Sequence, residues 1–312
     1  MTPFALALSL ALHAAPAAKA APAQPRPAAD KTMTASPKPA ATEDIATSTR
    51  AWQDERLKNL QSEEGWLTLV GLFWLKEGEQ TAGSAPESDL DFPEGTPAKL
   101  GTFTRKGNTA SLQPAPGVAF TLGGKPFTGG ALKSDETGAP DVLKLGSMSL
   151  QVILRGDKLG VRVKDKEAPA RKQFHGIATY PANAAWRLDA RFEPSETPRT
   201  IQVPNVLGTE EAMKVPGTLV FTVNGKEHRL TPVEEDDKLF IIFADETNRD
   251  ATYGAGRFLY ADAPKDGHVV LDFNRAYNPP CAFTRFATCP LPPRGNRLAA
   301  RVEAGEKRYG DH

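Results

Sequence analysis

The 312-residue chain is short of cysteine: it has two, Cys281 and Cys289, both in its last stretch. It contains no CxxC, and none of its five histidines stands in a ligand spacing such as HExxH, so no metal site is expected. It has no excess of either charge, since 38 Lys+Arg against 38 Asp+Glu give a formal net charge of zero. A nucleic-acid binder shows a basic excess or a basic face, so that class is set aside. No apolar run is long enough to span a bilayer. GxSxG is absent, which removes the common α/β-hydrolase signal. GGKPFTGG at 123–130 lacks the GK[ST] ending of a phosphate loop and joins strands, so no cofactor is expected.

What is present begins with a short apolar run, Phe4 to Ala15, followed by Ala18-Lys19-Ala20. Small-x-small after such a run marks a secretory signal peptide over residues 1–20, which places the mature protein in the periplasm or outside the cell. No cysteine stands at the cleavage site to take a lipid anchor. Residues 21–41 are Pro/Ala-rich without apolar period and form a disordered linker. Ile45, Trp52, Leu57 and Leu60 then recur near helical spacing, which predicts one amphipathic helix from about Glu43 to Gln61.

After Gly65 the helical period disappears. The apolar string Trp66–Leu75 reads as a strand, or two broken at Gly71. Short apolar runs with Gly-rich turns follow to Asp165, including a hairpin of Met148–Leu154 and Leu159–Lys164 around Arg155-Gly156-Asp157-Lys158. Further strands are expected at Thr200–Val203, Thr218–Asn224, Lys226–Leu230, Leu239–Ala244, Gly256–Ala261 and His268–Phe273. Asn224-Gly225 supplies a type I′ turn. The fold expected is mostly β: two β-sheet units, sandwich or barrel-like, with one N-terminal amphipathic helix. The units run over 42–165, with the helix, and 166–312, with a Cys/Pro-rich C-terminal closure.

The chemistry-bearing residues gather late in the chain. Asp245, Tyr253, Arg257, Asp272, Asn274, Arg275, Tyr277 and Asn278 surround three expected strands and precede the pairs Pro279-Pro280 and Pro292-Pro293. An Arg with one or two carboxylates can hold a substrate carboxylate or can be a buried ion pair. These eight are the ligand-binding candidates, with structural closure as the competing reading. Cys281 and Cys289 are expected to form a disulfide, as paired cysteines of an exported chain usually do. Arg162, Lys164 and Lys166 alternate along one strand, with Arg155, Lys158, Arg171 and Lys172 near by. Because Asp157, Asp165 and Glu167 interleave, they read as a solvated face rather than a patch for an anionic ligand or envelope polymer. His228 and His268 read as surface strand positions and His175 as a structural histidine.

The strings FADET and TYGAGRFL at 243–259, and LDFNRAYNPPCAF, CPLPP, NRL and AGE at 271–305, resemble the bacterial domain of unknown function family 1684. GWLTLVGLFWL at 65–75, LGTF at 100–103, RGDKLGVRVKD from 155, and F-x-G ending at 176 fit the same pattern. The resemblance implies no activity and carries over no catalytic residue. The functional expectation is therefore a small-ligand-binding β protein of the cell envelope, its site between the β units. The alternative is a metal-independent hydrolase or isomerase using the carboxylate/Arg/Tyr cluster, and a further one is a structural or interaction module. Partners are limited to a small-molecule ligand, and the sequence sets no oligomeric state.

Overall fold

A computed structural model describes residues 42–310. The expected signal peptide and linker lie outside the described residues. The helix, α1 (Thr42–Gln61), buries Ile45, Thr49 and Leu60 and half-buries Trp52, Gln53, Arg56 and Leu57. That stripe follows the 3.6-residue period that the sequence carries. A short 3₁₀ turn at Trp66–Thr68 then turns the chain into the sheets.

The first β unit has eleven strands. They are β1 (Leu69–Trp74), β2 (Gly78–Gly83), β3 (Leu90–Asp91), β4 (Gly101–Lys106), β5 (Thr109–Pro114) and β6 (Phe120–Leu122). β7 (Lys125–Phe127), β8 (Gly130–Leu132), β9 (Val142–Leu145), β10 (Met148–Arg155) and β11 (Lys158–Asp165) follow. One sheet runs β1-β11-β10-β9-β6-β7 and the other β3-β2-β4-β5-β8. They share one core, in which Phe103 and Leu112 of the second sheet meet Leu143, Leu150, Val161 and Val163 of the first. Phe92 stacks on Phe73 at 4.4 Å between ring centres. The apolar string at 66–75 is thus one 3₁₀ turn and one strand, and the irregularity sits between Leu69 and Gly71, where the register to β11 shifts.

A four-residue helix, α2 (Pro169–Lys172), leads to the second unit. Its strands are β12 (Arg187–Pro204), β13 (Glu210–Val223), β14 (Lys226–Leu230), β15 (Val233–Glu235), β16 (Lys238–Phe243), β17 (Arg257–Ala261) and β18 (His268–Asp272). Four pair as β14-β13-β12-β18 and three as β15-β16-β17. Asn224 and Gly225 have φ of 51° and 76°, as the type I′ turn between β13 and β14 requires. The 18-residue β12 is longer than expected. It accommodates its two interior prolines, Pro194 and Pro198, because its register to β13 breaks between Pro194 and Arg199, where no ladder donor is demanded. β16 is buried at every position after Lys238. One of its faces, with Leu239, Ile241 and Phe243, meets Leu219 and Phe221 of the larger sheet. The other, with Phe240 and Ile242, meets Val203 and Val215 at the far end of the β12–β13 ribbon. All described residues belong to one compact unit.

The C-terminal segment closes this unit. Arg257 on β17 has no exposed surface. Its Nη2 donates to Asp245 Oδ2 at 2.8 Å and to the Val302 carbonyl at 2.9 Å. Its Nη1 donates to the carbonyls of Ala304 and Glu306. Asp245 Oδ1 accepts from the Thr247 amide at 2.8 Å, the Thr247 hydroxyl at 2.6 Å and the Val302 amide at 3.2 Å. Asn296 ties the same segment to the sheets, accepting from the Thr231 amide and donating to the carbonyls of Thr231 and Ile242. Gly305 has a φ of 75°, and a Cβ there would lie 2.3 Å from the Ala276 carbonyl oxygen, so only glycine fits.

One expectation is corrected in the second unit. His228 is 7% exposed and stacks on Phe221, because β14 packs one face on the core instead of lying in solvent. Burial, then Lys226, push its imidazole below the ordinary histidine value. The folded state therefore favours its neutral form, and its contribution to stability is complete above the unfolded value of 6.5 and is lost as pH falls below that toward the lowered folded value. We predict that the unfolding free-energy gap between wild type and His228→Phe changes in favour of the variant as pH drops through that window; a gap independent of pH refutes the assignment. For the closure, Arg257→Met leaves Asp245 buried without its cation, and we predict a loss of about 3–5 kcal/mol in denaturant unfolding. Asp245→Asn added to it restores part of that loss, and strictly additive effects would exclude a direct pair.

Candidate functional site

Of the eight ligand candidates, Asp245 and Arg257 are consumed by the closure just described. Asp272, at the end of β18, is equally committed. It lies 3.3 Å from Arg187 Nη1 and 3.6 Å from Arg275 Nε, and its Oδ1 accepts from the Asn274 amide and side chain. Asn274 spends its remaining groups on Asn183, accepting from its amide at 2.9 Å and donating to its carbonyl at 3.0 Å. Asn278 is fully buried, donating its side chain to the Lys307 carbonyl and its amide to Glu306 Oε2. Tyr253 is half-buried; its carbonyl accepts from Asn248, and burial raises its phenol to about 12. Only Tyr277 reaches a cavity.

Glu306 organises the surroundings of Tyr277. Its carboxylate accepts from Arg56 Nε at 3.1 Å, and Arg56 Nη2 also donates to the Asn278 carbonyl at 2.9 Å. The helix is thereby fastened to the C-terminal segment. The Arg56 guanidinium lies 4.6 Å from the centre of the Tyr277 ring. Burial pushes the Glu306 carboxyl above its ordinary value, against the pull of Arg56. Neither residue stood out in the sequence, because they lie 250 positions apart and neither is in a motif.

The cavity is a cleft of about 930 Å³ between the two β units. One wall is aromatic. Phe240 of β16 stacks on Tyr260 of β17 at 4.8 Å, and Tyr260 lies parallel to Tyr277 at 6.3 Å. The Tyr260 hydroxyl donates to Glu235 of β15 and contacts the Tyr277 hydroxyl. Burial holds both phenols, and the Glu235 carboxyl, above their ordinary values. The facing wall belongs to the β10–β11 hairpin, with Arg155, Arg162 and, from the preceding turn, Trp66. Arg155 is held by Asp135 at 2.7 Å and by the Thr288 hydroxyl at 3.3 Å.

Arg162 is the second correction to the sequence reading. The sequence placed it on a solvated basic face, yet it is 8% exposed. Strand parity does set it opposite the apolar Val161 and Val163. That side of β11 is covered in turn by Trp66, whose ring lies 5.3 Å from the guanidinium, and by the second β unit across the cleft. Only long-range packing makes this face internal, so local charge patterning missed it.

Thr288 and Cys289 close the cleft floor. The expected disulfide is not formed: Cys281 and Cys289 are free thiols. Each backbone amide donates to the other residue's sulfur, at 3.1 and 3.4 Å, so the two thiols face one another across the loop. Hydrogen bonding from Cys289 lowers Cys281, whereas Cys289 is raised. Among the described residues no cluster of three or more His, Cys, Asp or Glu could hold a metal ion, and no helix is long and apolar enough to cross a membrane.

None of the curated proteins matches the chain. Two solved structures that are similar carry little further. The uncharacterized protein from gene locus rrnAC0354 of Haloarcula marismortui is 29% identical, covering 46% of this chain and 82% of its own, with a TM-score of 0.39. The Rv0020c_FHA structure is 18% identical, covering 31% of this chain and 91% of its own, with a TM-score of 0.21. A family model matches residues 172–307, so most of the upstream strings noted above fall before the matched segment. Residues 172–307, which carry the closure and the aromatic wall of the cleft, match the family described as "Protein of unknown function (DUF1684)".

Proposed function

We propose that this chain is an exported small-ligand-binding β protein of the cell envelope, and that its ligand seat is the cleft between the two β units. The observation that carries this reading is the cleft itself. Its volume of about 930 Å³ falls within the range of small-molecule sites. Its walls combine an aromatic surface with a few oriented polar groups, the composition such sites have. Tyr277, the one sequence-derived candidate in it, is fixed by Arg56 and the Tyr260 stack rather than left to move. A preformed site of this kind loses little entropy on binding.

One observation favours a second reading, a metal-independent hydrolase or isomerase. Glu235 is an acid with a raised value inside the cleft, and its hydrogen-bonded tyrosines offer a path for a proton. A general acid or base needs that combination of reach and tuned value. The readings separate at Glu235→Gln, which as a binder's variant keeps ligand affinity and as an enzyme's variant keeps affinity but loses turnover.

The test of the seat is a substitution at its mouth. Ala212 of β13 lines the cleft and is exposed, so Ala212→Trp narrows the opening without touching either core. In a thermal-unfolding screen of small molecules, we expect hits that raise the wild-type midpoint by mass action and leave Ala212→Trp unmoved. Hits that stabilise both proteins equally would place the seat elsewhere.

Export rests on the apolar run and Ala18-Lys19-Ala20. In an oxidising compartment a disulfide oxidant would take two hydrogens from the facing Cys281 and Cys289 thiols, itself becoming a dithiol, and leave them bridged. The intact mass of protein recovered from the cell envelope reads both events. We expect a chain starting near Ala21 and short of two hydrogens; a chain still carrying Met1 would end the export reading.

A further inference from the structure

Arg162 presents a physical problem that the fold does not solve. It is more than nine-tenths buried and lines the cleft. Its Nε has no hydrogen-bond partner, and among the described residues no carboxylate forms an ion pair with it. The face of Trp66 lies 5.3 Å from its guanidinium and attracts a cation, but accepts no hydrogen bond in the guanidinium plane. Burial and the repulsion of Arg155 push it down to about 10, so at neutral pH it still carries its charge. A charge taken out of water without a partner is unfavourable, and proteins retain such groups where something else supplies the counter-charge.

The acids near by do not supply it. Asp135 is close enough to favour the Arg162 charge, but its Oδ2 is engaged by Arg155 at 2.7 Å. Cys289 is raised and stays a neutral thiol. Glu210 and Glu211 are exposed at the rim. Glu235 stands on the aromatic wall beside Tyr260, where burial favours its neutral form. The cleft thus has one cationic wall with an unanswered guanidinium and one aromatic wall with a protonatable acid.

Resting on the reading of this cleft as a ligand seat, we propose that its ligand is an organic anion: a carboxylate or phosphate group pairs with Arg162, flanked by Arg155, while an aromatic or apolar body lies against the Phe240–Tyr260–Tyr277 wall. The guanidinium fork matches either oxyanion in two parallel hydrogen bonds, which a lysine could not reproduce. The division of labour is that of small-molecule sites generally: the anion fixes orientation and the aromatic wall provides contact area.

The test uses benzoate, phenyl phosphate and benzyl alcohol as probes, with inorganic phosphate for the anion alone. Wild type, Arg162→Met and Ala212→Trp are titrated by calorimetry and followed by thermal unfolding at constant ionic strength. Methionine keeps the apolar stem and removes the unpartnered donors, so the variant is expected to fold. We expect benzoate or phenyl phosphate to bind wild type about tenfold or more tighter than benzyl alcohol, and to lose about tenfold or more in Arg162→Met, the loss of a charge-assisted pair. Inorganic phosphate, compared with chloride, should raise the midpoint of wild type and not of Arg162→Met. Benzyl alcohol binding as tightly as benzoate, unaffected by Arg162→Met but abolished by Ala212→Trp, overturns the anion and leaves the seat standing. No probe binding, with phosphate stabilising wild type and Arg162→Met alike, overturns the anion inference; hits of a wider screen that ignore Ala212→Trp overturn the seat as well.

Discussion

A guanidinium with no access to water governs how this chain ends. Arg257 has five N–H donors and no solvent to receive them, so the protein around it must provide acceptors. Asp245 gives one oxygen to Nη2, and the backbone carbonyls of three alternate residues, Val302, Ala304 and Glu306, answer the other Nη donors, which leaves Nε alone without a partner. The arrangement is reciprocal. The C-terminal segment crosses β16 and β17 without a strand ladder of its own, and its carbonyls would otherwise lie buried and unanswered. The arginine therefore does for this segment what a neighbouring strand does elsewhere in the fold.

From that pair the other parts take their places. The segment held by Arg257 carries Glu306, and Glu306 fixes Arg56, so the helix is fastened to residues far from it in sequence. Arg56 and the Tyr260 stack then fix the Tyr277 ring. A chain of three contacts thus runs from the fully buried ion pair to the aromatic wall of the cleft. Each link is a charge or a ring with one geometry, so little freedom accumulates along it.

The sequence made much of this legible and hid the rest for identifiable reasons. The β10–β11 hairpin, the Asn224-Gly225 turn and the alternation on β11 depend on neighbours within a few residues, and they are where the pattern puts them. The closing role of Asp245 and Arg257 was one of two readings, because composition near a strand end says that a pair forms but not whether it faces a cavity. The partnership of Arg56 with Glu306 had no local signal at all. The length of β12 and β13 was obscured by Pro194 and Pro198, which read as breaks and are absorbed by a shift of register. The burial of Arg162 depends on the second unit approaching a strand face that, in the first unit alone, would be wet.

Arg257 and Arg162 share a residue type, a strand setting and near-complete burial, yet the same rule gives opposite conclusions for them. Buried charges must be answered, and the useful question is by what. The charge of Arg257 is answered by its own chain, through the Asp245 carboxylate and three carbonyls, and although its Nε has no partner it does not line the cleft. Arg162 has a tryptophan face and no ion-pair partner among the described residues, and it lines a cleft open to small molecules. Evolution could have removed the cost with a methionine or leucine of similar length, since replacing a buried ion by an apolar side chain is often neutral or stabilising. A residue that is costly to the empty fold calls for a reason outside the fold, and a counter-ion that arrives from solution is such a reason. Unmet hydrogen-bonding capacity in a cavity and the density of polar residues therefore point to different places in this fold, the first to the cleft and the second to the closure.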